Sequence, residues 1–105
     1  MRDITSNEFR DFIASGTSVI QFSADWCGPC KVLTPNMMTA SNSEEMADVS
    51  FAKVNIDNCQ SLASEFSIRS VPTVVIFQDG LELKRTMGVK TTTLIKQFIR
   101  ETVDR

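Results

Sequence analysis

Hydrophobic positions in this chain recur at two periods, and the switches between them outline the elements. Phe9, Phe12 and Ile13 stand at i, i+3, i+4, the spacing of a short amphipathic helix. The stretch Thr5–Glu8 (TSNE) ahead of them has the form of a capping box, and Gly16 closes the segment. Ser18–Ser23 then carries Val19, Ile20 and Phe22, a run that predicts a buried strand. A helix is predicted to start at Cys27–Cys30 and to run on to Asp48. Pro35 inside it removes the hydrogen bond to the Lys31 carbonyl and predicts a kink. Val49–Asp57 reads as the next strand. Cys59, Leu62, Ala63 and Phe66 fall on one helical face. Pro72–Met87 reads as a hairpin: a continuous apolar strand, a turn at Asp79-Gly80, and an alternating partner, Leu81, Leu83, Arg85, Met87. Gly88 breaks that strand, and Leu94, Ile95, Phe98 and Ile99 give the stripe of a last helix.

With a short first strand near the N-terminus, the order is β, α, β, α, β, α, β, β, α. That order predicts an α/β fold: one domain over residues 1–105, with a central mixed β-sheet flanked by helices on both faces. One position breaks the pattern. Gln21 sits inside the apolar run of the second strand. Side chains alternate along a strand, so residues 19, 21 and 23 share one face, and residues 20 and 22 the other. In a central strand both faces are covered, so Gln21 is expected to be buried and hydrogen-bonded, with Lys53 one candidate neighbour.

Composition narrows the class. The chain has 105 residues, 42% of them hydrophobic, enough for one core without a disulfide scaffold. Its 11 basic and 13 acidic residues are well mixed and leave a net charge of -2, which argues against a nucleic-acid partner. No window approaches the roughly 20 apolar residues of a membrane span. The first ten residues hold no apolar segment of a signal peptide, so a soluble, cytoplasmic, monomeric protein is expected. There are three cysteines and no histidine, too few ligands for a closed zinc site, so no metal is expected.

The candidate chemistry lies in Cys27 and Cys30. At i, i+3 on a helix their Cβ atoms stand roughly 5–6 Å apart, and a disulfide needs about 3.5–4.5 Å. A small local adjustment therefore closes or opens the bond. Such a short loop constrains the unfolded chain little, so the bond has more use as a two-electron reservoir than as a staple. The first turn of a helix offers free N–H groups and the positive end of the dipole, and both favour a thiolate. Pro29 fits that turn, where its missing N–H is no loss, and Gly28 leaves the approach to Cys27 open. Cys27 is expected to be the exposed nucleophile, and Cys30, one turn in, the shielded resolving thiol. Cys59 lies on an apolar helical face and is expected to pack as a small hydrophobe.

Trp26–Cys30 (WCGPC) resembles the active-site motif of the thioredoxin family. The resemblance extends through Lys31 and Pro35, Ala52–Asp57 (AKVNID), Ser70–Gly80 (SVPTVVIFQDG), Gly88 and the last helix, and so covers essentially the whole chain. It implies a protein-disulfide reductase of thioredoxin fold. Cys27 would form a mixed disulfide with substrate, and Cys30 would resolve it. The Val71–Pro72 bond would be cis, with Pro72 against the cysteine pair. Trp26, Val71, Pro72, Gly88 and Val89 would receive substrate backbone. Disulfide-containing proteins would be the substrates, a thioredoxin reductase would restore the dithiol, and no bound cofactor is implied. The family pattern places an aspartate at Gln21, beneath the resolving cysteine and active in its proton transfer, with Lys53 near it. It places an aromatic residue at Ser23. The competing readings are a redox-indifferent thioredoxin-fold binding subunit or chaperone-like partner, which the lost acid favours, and a dithiol oxidase of secreted proteins.

Overall fold

A computed structural model describes residues 1–103; the last two residues of the predicted domain, Asp104 and Arg105, lie outside it. The elements are β1 (Arg2–Asp3), α1 (Ser6–Ile13), β2 (Thr17–Ser23), α2 (Gly28–Ser41), a single 3-10 turn (Glu44–Met46), β3 (Val49–Asn55), α3 (Gln60–Glu65), β4 (Thr73–Gln78), β5 (Leu81–Met87) and α4 (Thr92–Val103). They build one five-stranded sheet in the order β1-β3-β2-β4-β5. β1, β3 and β2 run parallel, and β4 and β5 close the sheet antiparallel. β2, which leads to the cysteines, is the central strand.

Side-chain alternation on this sheet makes two cores. Ile20 and Phe22 of β2 face one side, with Ala52, Val54, Val75 and Phe77, and are covered by Phe9 and Ile13 of α1 and Leu62 of α3. Val19 faces the other side, with Phe51, Val74 and Ile76, under Leu33, Met37 and Ala40 of α2 and Ile95 and Ile99 of α4. At the N-terminus of α1 the Thr5 N–H donates to Glu8 Oε1 at 2.9 Å. That bond, then Arg2, holds the Glu8 carboxyl below the usual carboxylate range. Its contribution to α1 is therefore present above the ordinary carboxylate pKa and is lost as pH falls through the lowered one.

Two expectations need correction. The helix after the cysteines does not reach Asp48; it ends at Ser41. The hydroxyls of Ser41 and Ser43 donate to the carbonyls of Met38 and Ala40, at 2.8 and 3.0 Å, and so take over the free end of the helix. The chain then turns through Glu44–Met46 and buries Met46. α2 does run through Pro35 as one helix. The alternation expected in the last strand also fails. The pairing with β4 shifts between Ile76 and Phe77, so Lys84 pairs with Ile76 and Glu82 with Phe77, leaving Leu83 unpaired. This bulge puts Glu82 and Arg85 on the same face, where Arg85 Nε donates to Glu82 Oε2 at 2.7 Å. Burial of Cys59 within the first core agrees with its apolar reading, although it stands at the N-cap of α3 and not inside the helix.

Candidate active site

β2 ends at Ser23, and Ala24, Asp25 and Trp26 carry the chain to Cys27, the N-cap of α2. In an α/β sheet this carboxyl end of a central strand is where ligands bind. Cys27 and Cys30 are joined as a disulfide with Cα atoms 5.3 Å apart. Cys27 Sγ accepts the Cys30 backbone N–H at 3.1 Å, as a side-chain oxygen does at an ordinary N-cap. Pro29 occupies the first turn, where no N–H is required. The Cys30 N–H and the positive end of the helix dipole thus both act at Cys27 Sγ, and both stabilise a thiolate there once the bond opens.

Exposure does not separate the two cysteines. In the disulfide Cys27 is 4% exposed and Cys30 2%, so the expected exposed nucleophile is as covered as its partner. The sulfurs differ in their neighbours. Cys27 Sγ lies 3.6 Å from the carbonyl oxygen of Val71, on the outer side. Cys30 lines a cavity of about 340 Å³ on the inner side, with Asp3, Ser23, Ala24, Asp25, Lys31, Thr34, Lys53 and Asn55.

The Val71–Pro72 peptide bond is cis, and Val71 packs against the Ala24, Cys27 and Cys30 cluster. Pro72 is buried, and its carbonyl accepts the Gly88 N–H at 3.0 Å. Gly88 has φ +89°, a conformation that a side chain would strain. That bond ties the end of β5 to the segment facing Cys27. Trp26, next to Cys27 in the chain, is 69% exposed, and Val89, next to Gly88, is 44% exposed.

Three residues in this region were not singled out by sequence. Asp57 Oδ2 accepts Trp26 Nε1–H at 3.0 Å and fixes the indole beside the disulfide. Met87 is 60% exposed next to Gly88 and takes a hydrogen bond from Ser70 at 3.2 Å. Thr34 is the third: its hydroxyl donates to the Cys30 carbonyl at 2.9 Å. Of these, Thr34 had a readable signal, since i+4 from Cys30 puts it on the cysteine's face.

Gln21 is fully buried, as expected, and Lys53 is its cross-strand neighbour, but the two side chains are not hydrogen-bonded to each other. The Lys53 ammonium reaches away to Asp3 Oδ1, 3.5 Å distant. Gln21 Nε2 donates instead to Thr34 Oγ1 at 3.0 Å and more weakly to Ser23 Oγ at 3.5 Å. A chain of bonds therefore runs from Gln21 through Thr34 to the backbone of Cys30. Ser23 and Thr34 both line the cavity beside Cys30. Gln21 Oε1 has no partner within the protein among the described residues.

A buried disulfide of two residues' spacing, at a helix N-terminus beside a proline loop, defines a thiol–disulfide oxidoreductase. Similarity to known proteins gives the family. The Thioredoxin family model matches residues 1–101. The chain is 38% identical to the thioredoxin of Chlamydia caviae over 98 residues, which are 93% of this chain and 94% of that protein. It is 39% identical to the thioredoxin of Mycoplasma genitalium over 84 residues, 80% of each chain. Among solved structures it resembles the Malassezia sympodialis thioredoxin, with a TM-score of 0.86 and 30% identity over 97% of this chain and 90% of that one. A mutant thioredoxin from Halobacterium salinarum gives a TM-score of 0.86 and 31% identity, over 97% of this chain and 88% of that one. The chain belongs to the thioredoxin family, and its Cys27–Cys30 pair makes it a protein-disulfide reductase.

Proposed function

We propose that Cys27 is the attacking sulfur and Cys30 the resolving one. A reduced Cys27 thiolate attacks a substrate disulfide and forms a mixed disulfide, releasing the first substrate sulfur. Cys30 then attacks Cys27, restores the intramolecular bond and releases the second. The observation that carries this order is the bond from the Cys30 N–H to Cys27 Sγ. It stabilises negative charge on Cys27, and among the described residues no donor of that kind is directed at Cys30 Sγ.

Trp26, Val71, Pro72, Gly88 and Val89 form the receiving surface in this reading. The Val71 carbonyl oxygen stands 3.6 Å from Cys27 Sγ and supports this reading, since it brings the segment before Pro72 to the attacking sulfur. Disulfide-containing proteins are the substrates. A thioredoxin reductase returns the electrons, which rest in the cysteine pair and need no bound cofactor. A reductase of this kind works in a reducing compartment, here the cytoplasm, as a monomer. No helix among the described residues is long and apolar enough to cross a membrane.

The role assignment is tested by a short pulse of iodoacetamide near pH 7 on the reduced protein, read by mass spectrometry. Cys27 is expected to be the one rapidly alkylated thiol, ahead of Cys30 and the buried Cys59. Faster labelling at Cys30 would exchange the two roles.

A further inference from the structure

Resolution requires Cys30 to lose a proton, and Gln21 beneath it does not titrate near neutral pH. The cavity lined by Cys30 offers the other route. Its volume of about 340 Å³ exceeds the roughly 30 Å³ that one water takes in the liquid, and seven of the nine residues that line it are polar or charged. Both hydrogen-bond partners of Gln21, Ser23 and Thr34, line it. Four charged side chains share the lining: Asp3 from β1, Lys53 from β3, Lys31 from α2, and Asp25 from the loop between β2 and α2. Asp3 is engaged by Lys53 at 3.5 Å. Asp25 forms no ion pair among the described residues, and it precedes Cys27 by two positions on the loop that delivers the cysteines.

We propose that this cavity carries the proton of Cys30, through water, to the carboxylate of Asp25. The proposal rests on the reading of Cys30 as the resolving thiol. In the step, Cys30 Sγ–H gives its proton to a cavity water, and a proton passes on to an Asp25 carboxylate oxygen. The electron pair left on Cys30 Sγ forms the bond to Cys27 Sγ. The bond from Cys27 Sγ to the substrate sulfur breaks, and that sulfur leaves as a thiolate. The cysteine pair is oxidised by two electrons and the substrate is reduced by two. Asp25 then returns its proton to solvent. Asp25 touches neither reacting sulfur and acts through water.

The test is a pH profile of the resolution step alone. Reduced protein is mixed in a stopped-flow cell with one equivalent of a bis(nitrobenzoate) disulfide. Attack by Cys27 releases the first nitrothiobenzoate, and attack by Cys30 releases the second. With a proton acceptor in place Cys30 need not ionise first, so the second rate of the wild type is expected to be nearly flat from about pH 5.5 to 7. In Asp25→Asn the second release should be about tenfold slower near pH 6. It should climb roughly tenfold per pH unit until Cys30 ionises unaided, because only its thiolate fraction then reacts. Asp25→Glu should restore the flat profile, and Asp3→Asn should keep it. An Asp25→Asn profile that parallels the wild type, whether at the same rate or uniformly slowed, overturns the proposal. Cys30→Ser checks the reading beneath it: a second release that persists there would refute Cys30 as the resolving thiol.

Discussion

Replacing Cys27 by serine is expected to reduce insulin-disulfide reduction to the rate of dithiothreitol alone. A serine hydroxyl remains protonated at neutral pH even with the Cys30 N–H directed at it. It also has no disulfide to exchange, so no residual covalent path survives. The fold should not suffer. Serine is a good N-cap, and a loop of this length stabilises the chain little when cross-linked. Thermal unfolding of Cys27→Ser should therefore lie close to that of the reduced wild type. This separates reduction from the redox-indifferent binding role. A partner that still binds Cys27→Ser with unchanged affinity would show a docking function alongside the chemistry, while retained insulin reduction would contradict the chemistry itself.

Phe9→Ala is expected to produce the largest loss of stability with the least direct effect on chemistry. Phe9 is fully buried under the sheet and meets three rings, with centroids 5.4 Å from Phe66, 5.7 Å from Phe77 and 6.4 Å from Phe22. The Phe77 contact is edge-on, a preferred geometry for aromatic pairs. Truncation removes the transfer energy of the ring and leaves a cavity that α1, α3 and the sheet cannot all close. A cost of about 3–5 kcal/mol follows, a large fraction of the roughly 5–15 kcal/mol that holds a domain of this size together. Urea unfolding should show a lower midpoint, and the melting temperature should drop by more than about 10 °C. Phe9 lies outside the cluster of Ala24, Cys27 and Cys30, so the folded fraction should reduce disulfides at nearly the wild-type rate.

The two faces of β2 were legible because they rest on alternation alone. Val19 and Gln21 do lie on the side of α2, and Ile20 and Phe22 on the side of α1, with Gln21 buried. The partners of Gln21 were not legible. Its cross-strand neighbour Lys53 follows from register, but Thr34 reaches it only because α2 packs over that face of β2. The end of α2 was misplaced for a local reason. Thr39 to Ser43 carry enough hydroxyls and amides to compete for backbone groups, and sequence periodicity does not register that competition. The bulge at Leu83 was invisible for the opposite reason. An alternating pattern fits a regular strand so well that it hides a slip of one residue, although the slip moves Glu82 and Arg85 onto the same face. The cysteine pair, carried by spacing and a five-residue motif, needed the structure for its surroundings: the donor at Cys27 Sγ, the carbonyl of Val71, and the cavity behind Cys30.

The most direct test of the two-cysteine order is to trap its intermediate. Cys30→Ser removes the resolving thiol, so attack by Cys27 on a protein disulfide should stop at the mixed disulfide. Incubated with insulin and quenched with acid, this variant should be recovered as a covalent adduct. The adduct should be released by excess dithiothreitol, and peptide mapping should place the link at Cys27. Cys27→Ser treated in the same way should give none. An adduct that forms through Cys30 or Cys59, or rapid turnover by Cys30→Ser without an adduct, would contradict the assignment of Cys27 as the attacking sulfur and Cys30 as the one that resolves.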